Sequence, residues 1–147
     1  GDRIPLIPRH QAKAYVEWRA LPGLRVQADV VAIGAILARG NENGGHQADG
    51  VYYLGRGGIG GYAVVNLGAE WQATSALTAY VQVNNALDRR YATSAQLGAT
   101  PFTTAGTFVA RPFDAPVIDG ERPLLHSTFV APGAPRAVYV GIRYRVE

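Results

Sequence analysis

The sequence predicts an all-β fold, an antiparallel meander of about five long strands. Three observations lead there. Apolar and polar residues alternate with a period of two. Short and long connections take turns. The large aromatic residues of the apolar faces gather at one end of their strands.

Proline and glycine mark out the strands. The nine prolines fall at 5, 8, 22, 101, 112, 116, 123, 132 and 135, and nine of the eighteen glycines lie between Gly40 and Gly61. Five proline-free stretches remain, about 9–20, 24–39, 61–73, 77–87 and 136–146, each longer than an average globular strand. In the first, Lys13, Tyr15, Glu17 and Arg19 alternate with Ala12, Ala14, Val16 and Trp18. In the second, Arg25, Gln27 and Asp29 alternate with Leu24, Val26, Ala28 and Val30. The third sets Asn66, Glu70 and Gln72 against Val65, Leu67 and Trp71, and the fourth sets Thr78, Tyr80, Gln82 and Asn84 against Leu77, Ala79, Val81 and Val83. The fifth sets Tyr139, Gly141, Arg143 and Arg145 against Val138, Val140, Ile142, Tyr144 and Val146. Each stretch is a strand with one apolar and one polar face.

The turns supply the pairing. Leu21-Pro22-Gly23 fits a three-residue hairpin loop with Gly23 in the left-handed conformation. That register sets Arg19 opposite Arg25, Glu17 opposite Gln27 and Trp18 opposite Val26, with Glu17 diagonal to Arg25. Thr74-Ser75-Ala76 makes the second short turn, and the long connections are about 40–60 and 88–135. The first four strands are expected to pair sequentially and the last to lie beside Leu77 to Leu87.

Composition narrows the class. The 147 residues carry 13 Arg, one Lys, 11 acidic side chains, 3 His and no Cys, for a net charge of +3. Only 17% are charged and 48% hydrophobic, a low charge density for a water-facing surface. No stretch interleaves basic and aromatic residues as a nucleic-acid face would. Without cysteine there is no disulfide framework, thiolate metal site or cysteine nucleophile. The longest apolar run, Val30 to Ala38, is about half the roughly 18 residues of a membrane-spanning helix. The chain starts Gly1-Asp2-Arg3-Ile4-Pro5, with neither an initiator Met nor a signal-peptide pattern, which predicts a processed product or an excised piece.

Short turns at one end and long loops at the other are the layout of an outer-membrane β-barrel. Trp18 and Trp71 each lie three residues before a short turn, and Tyr144 lies three before Glu147, all on apolar faces. They read as a membrane-interface girdle. Two rival architectures exist. One is a complete eight-stranded barrel with a structural or adhesion role, drawing three more strands from Val51 to Leu54, Thr107 to Arg111 and Leu124 to Val130. The other is a soluble β-sandwich binding module with both Trp in its core.

A specific motif follows the fourth strand. Val83-Asn84-Asn85-Ala86-Leu87-Asp88-Arg89-Arg90-Tyr91 resembles the Asn-Leu-Phe-Asp-Lys/Arg-x-Tyr segment near the C-terminus of TonB-dependent outer-membrane receptors, with Asn85, Asp88, Arg89 and Tyr91 matching. Ile4 to His10 resembles the family's passage from loop to strand, and Ala134-Pro135-Arg136 leads into what resembles its final strand. There Gly141, Tyr144 and Val146 occupy the positions of the C-terminal assembly signal, with Val146 standing where the family usually has Phe.

The resemblance implies the last five strands of a 22-stranded transmembrane β-barrel, with residues 1–147 as its C-terminal segment and the plug domain absent from this chain. It implies TonB-dependent uptake of a nutrient chelate, such as a ferric siderophore, in the outer membrane of a Gram-negative bacterium. The implied partners are outer-membrane lipid, the rest of the barrel and plug, the TonB complex through the plug, and the barrel-assembly machinery. Neither enzymatic activity nor a bound cofactor is implied. The short turns would face the periplasm and the long connections the exterior. Ala14, Val81 and Val140 would meet lipid, and Lys13, Gln82 and Gly141 the lumen.

Connection 88–135 is the candidate for ligand contact. Its Arg89, Arg90, Phe102, Phe108, Arg111 and Phe113 suit an anionic, partly apolar chelate, with Arg122 and Phe129 nearby. The inward charges Lys13, Glu17, Arg19, Arg25, Asp29, Glu70, Arg143 and Arg145 read as ion pairs of the lumen wall or contacts to the plug. Three other patterns read as structural. Gly55-Arg56-Gly57-Gly58-Ile59-Gly60 matches G-x-G-x-x-G but runs into a strand rather than a helix, so it reads as a flexible surface loop. His126-Ser127 with Asp114 and Asp119 lacks a nucleophile elbow. His10, His46 and His126 lack metal-ligand spacing.

Overall fold

The computed structural model describes residues 3–48, 53–100, 102, 107 and 126–146. Among the described residues the chain forms strands and turns and no helix. In chain order the strands are β1 (Gln11–Leu21), β2 (Leu24–Ile33), β3 (Ile36–Leu37), β4 (Tyr53–Leu54), β5 (Gly58–Ile59), β6 (Tyr62–Gln72), β7 (Leu77–Asn84), β8 (Ala92–Ala99), β9 (His126–Pro132) and β10 (Ala137–Tyr144). They fall into two compact units.

The sheet unit, within residues 10–34, 61–91 and 133–147, is one antiparallel sheet in the order β1-β2-β6-β7-β10. The first four strands of that order follow one another along the chain, and the last lies beside β7, with Val138 opposite Val83 and Val140 opposite Val81. The first hairpin has Arg19 opposite Arg25, Glu17 opposite Gln27 and Trp18 opposite Val26. Gly23 has a φ of 78° at its turn, where a side chain would be strained. The ladder slips between Arg19 and Leu21, a bulge that lets Leu21 meet Leu24. At the second turn Thr74 Oγ1 accepts from the amides of Ala76 and Leu77, a hydroxyl-capped turn.

The alternation sorts the faces as the sequence predicts. Trp18, Val26, Ala69, Val81 and Val140 form one apolar row across all five strands. That face is uncovered: Val140 is 78% exposed, Ile142 75% and Trp18 66%. A β-sandwich would bury this face against a second sheet. The sheet is also open, with β1 and β10 as its edges, so five strands do not close into a small barrel.

The loop unit lies within residues 1–9, 35–60 and 92–132. It pairs β3 with β5, and β4, β9 and β8 side by side, β4–β9 being parallel. Among the described residues the buried apolar side chains are Ile36, Ala38 and Ala95, all in this unit.

Several boundaries differ from expectation. The second stretch ends at Ile33 rather than near 39: the Gly34 amide donates to the His10 carbonyl at 2.9 Å, and the short β3 forms only afterwards. The fourth ends at Asn84 because Asn85 turns left-handed, with φ at 50°. Connection 88–135 is not structureless; β8 and β9 form a hairpin inside it, with Gln96 opposite Phe129. Of the rival barrel's extra strands, Val51 to Leu54 and Leu124 to Val130 are realised in part by β4 and β9, which belong to the loop unit. Thr107 to Arg111 lies almost wholly outside the described residues.

Candidate functional site

The polar face of the sheet carries a chain of charges. Arg25 Nη1 lies 3.8 Å from Glu17 Oε2, and its Nη2 lies 3.6 Å from Glu70 Oε1. Glu70 Oε2 then reaches Arg143 Nη1 at 4.0 Å, over β7. The four side chains link β1, β2, β6 and β10. All are partly exposed, so each contact stabilises weakly while fixing the side chains' positions. Further along the face, Asn66 Nδ2 donates to Asp29 Oδ2 at 2.8 Å. Arg19 and Arg145 have no acidic partner among the described residues, so the turn end of this face carries surplus positive charge. There Arg19, Arg25, Glu70 and Gln72 border an open cleft of about 300 Å³.

Gly141 stands opposite Tyr80, and a Cβ on it would collide with the Tyr80 ring and hydroxyl. The missing side chain is thus the seat of a cross-strand aromatic ring. This gives the glycine of the expected assembly signal a packing role. Of the other two residues of that signal, Tyr144 ends β10 and Val146 is exposed beyond it.

The loop unit is organised around Asn41 and Gly57, neither of which the sequence pattern singled out as a pair. The buried Asn41 side chain donates from Nδ2 to the Gly57 carbonyl at 2.8 Å and accepts the His46 amide on Oδ1 at 2.9 Å. The Gly57 amide donates to Thr128 Oγ1 at 2.9 Å, and the Ala38 amide to the Gly57 carbonyl at 2.9 Å. Within the glycine-rich motif, whose Gly55, Arg56 and Gly60 lie at the surface, Gly57 is buried and tied through both its amide and its carbonyl, and strand β6 follows. Nearby, the Gly40 amide donates to Glu42 Oε1 at 3.0 Å and holds that carboxyl below the usual carboxylate range. Gly40, Asn41, Asn43, His46, Leu97 and Gly98 border a second cleft, of about 440 Å³.

The candidate ligand residues are only partly placed. Arg89 and Arg90 are exposed just past β7, in the sheet unit. Phe102 is 45% exposed and its amide donates to Thr100 Oγ1. Phe108, Arg111 and Phe113 lie outside the described residues, as do Asp114, Asp119 and Arg122. The backbones of His126 and Ser127 pair with those of Ala99 and Gly98 in the β8–β9 ladder. Among the described residues no three His, Asp or Glu side chains come together as a metal-ligand set.

An open, strongly amphipathic antiparallel sheet whose hairpins close in short turns defines a segment of β-barrel wall. The chain belongs to the TonB-dependent receptor-like β-barrel family, whose model matches residues 1–86. Solved structures agree on the fold. The siderophore receptor PiuA from Acinetobacter baumannii superposes with a TM-score of 0.62 at 14% identity, covering 95% of this chain and 14% of PiuA. The ferric yersiniabactin uptake receptor FyuA from Yersinia pestis gives 0.58 at 20% identity, covering 95% and 16%. The ferric-catecholate import receptor Fiu from E. coli K12, in its open form, gives 0.57 at 18% identity, covering 93% and 15%. The chain thus spans about one seventh of the length of these receptors. No curated protein sequence matches it.

Proposed function

We propose that residues 1–147 are the C-terminal wall segment of an outer-membrane receptor that takes up a nutrient chelate, such as a ferric siderophore, by TonB-dependent transport in a Gram-negative bacterium. The observation that carries this reading is the sheet's two faces: large apolar side chains uncovered on one, an ion-paired polar wall on the other. The solved chains of like fold are described as siderophore, yersiniabactin and ferric-catecholate receptors. In this reading the plug, the remaining wall strands, the TonB complex and the barrel-assembly machinery are partners of the whole receptor. The protein moves its ligand rather than converting it. Arg89, Arg90, Phe102, Phe108, Arg111 and Phe113 are the candidate ligand contacts.

The girdle supports a membrane-spanning placement. Through Val26, Trp18 shares a row with Ala69, and Trp71 lies two residues further toward the turn end. Through Ala79, Trp71 shares a row with Ile142, and Tyr144 again lies two residues further. The aromatics descend by one residue per strand. With about 3.4 Å of rise per residue and about 4.8 Å between strands, the slope is about 35°. Strands of transmembrane barrels tilt by about 35–45°. A belt at one membrane depth crosses a tilted sheet at that slope.

The test is deletion of the complete receptor gene in its host, followed by uptake of radioactive iron presented as catecholate, hydroxamate and phenolate chelates. Loss of uptake of one class, restored by the intact gene and not by one lacking residues 92–132, is the expected result. Undiminished uptake of every chelate, or recovery of the receptor outside the outer-membrane fraction, would overturn the reading.

A further inference from the structure

The most deeply buried large side chain among the described residues is polar: Asn85, only 2% exposed. It sits where β7 ends, and each of its hydrogen-bonding groups is used. Its amide donates to Asn66 Oδ1 on β6 at 2.9 Å. Its Oδ1 accepts the Arg89 amide at 2.8 Å, and its carbonyl accepts the Asp88 amide at 2.8 Å. Its Nδ2 donates to the Arg89 carbonyl at 2.9 Å and to the Ala134 carbonyl at 3.0 Å. One side chain therefore ties together the strand it leaves, the connection that departs and the segment that returns into β10.

Two further contacts close the same neck. The Arg136 amide points at Asp88 Oδ1 at 3.4 Å, and the Gly133 amide donates to the Tyr91 carbonyl at 2.8 Å. The Tyr91 ring lies over Gly133, where any Cβ would collide with it, and it also packs on the tilted Tyr62 ring at a centroid distance of 4.5 Å. Asn85 and Asp88 both adopt left-handed backbone, with φ of 50° and 51°. Asn and Asp are the non-glycine residues that tolerate this conformation best. The spacing of Asn85 and Asp88 thus describes a backbone hook, with Arg89 engaged through its backbone and its side chain left exposed.

The hook answers a physical problem. The connection between β7 and β10 is long, so its covalent length does not hold the two strands in register. A slip of two residues would leave every side chain on its correct face, so the alternation does not resist it either. We propose that Asn85 is the clasp that sets the register of β10 on β7, independently of what the connection between those strands does. Asn85 is a positioning residue for the last wall strand and takes no part in ligand contact.

The experiment uses the complete receptor in outer membranes, with cysteine pairs as register reporters. Val83 and Val138 are opposite one another, and Val83 paired with Val140 reports a two-residue slip. With Asn85 present, oxidation should cross-link the first pair and not the second. Asn85→Gly keeps the left-handed backbone and removes the side-chain bonds. It should lower the ratio of in-register to slipped product about tenfold or more, or abolish the folded receptor, since several buried hydrogen bonds are lost together. A second receptor, with residues 92–132 replaced by a tight turn, holds the strands by chain length alone. There Asn85→Gly should restore the in-register product. An unchanged ratio in the first receptor would overturn the proposal, as would a defect that persists in the second. Failure of the short-turn receptor even with Asn85 would also overturn it, since the register would then come from residues 92–132.

Discussion

Arg25 stands directly opposite Glu70 on the β2–β6 ladder, with Nη2 3.6 Å from Oε1. The same carboxylate reaches Arg143 through its other oxygen, so one acid bridges two arginines from different strands. Glu70→Gln should destabilise the folded receptor by about 0.2–1 kcal/mol per pair lost, less at high salt. Glu70→Lys should cost more, because it sets a third cation between two arginines. Unfolding in urea, followed in lipid vesicles, separates the two; equal stabilities would mean the chain of charges is incidental.

The two faces predict opposite responses to one side chain. Val81→Arg places a charge on the apolar face and should cost about 2–4 kcal/mol if that site is near the bilayer midplane. Gln82→Arg, one residue along on the polar face, should cost far less. The comparison is made by equilibrium unfolding of the two variants in the same vesicles. Similar losses would contradict the assignment of faces.

The proposed girdle predicts depths. In a sheet tilted by about 35°, Trp18 and Trp71 lie at the same depth; in an upright sheet they would differ by about 7 Å, two residues of strand rise. Single-tryptophan receptors carrying one or the other, quenched by brominated lipids at graded depths, measure this directly. A difference near the upright value would remove the girdle.

Gly141 and Tyr80 should be coupled. Gly141→Val fills the seat of the Tyr80 ring and should cost about 1–3 kcal/mol through overpacking. Tyr80→Ala empties that space, so the double variant should recover part of the loss. A double-mutant cycle on folded receptor reads the coupling, and additive losses would show that the two side chains do not share the site.

Orientation is tested on intact cells. A cysteine at Asn43 should react with an impermeant reagent and one at Ser75 should not, since the long connection is expected outside and the short turn in the periplasm. The native segment has no cysteine to interfere. The reverse labelling pattern would invert the topology.

The wall was legible because a barrel strand writes its environment into alternate residues. The first hairpin shows how far this goes: Leu21-Pro22-Gly23 set the register that leaves Glu17 diagonal to Arg25, and the two side chains meet at 3.8 Å. The β8–β9 hairpin was hidden because Ala92–Ala99 is rich in Ala, Ser and Gly, residues with weak strand preference and little contrast between faces. The Asn41–Gly57–Thr128 linkage brings together residues far apart in the chain, so no local pattern announces it. In the sequence Asn85 is one position of a family motif, but its work depends on carbonyls at Arg89 and Ala134 that only the folded neck brings together. For the ligand candidates, the combination of Arg and Phe indicates a chemistry and cannot indicate a pocket.

Tyr91 and Gly133 are hydrogen-bonded through their backbones, although more than forty residues of chain separate them. A segment whose two ends already touch can be exchanged for another of different length or composition without moving either end. Evolution can therefore recombine what lies between Tyr91 and Gly133 as a cassette while the wall strands keep their sequence pattern. Tyr91 and Gly133 are therefore natural joints for chimeras that graft one receptor's connection onto another's wall.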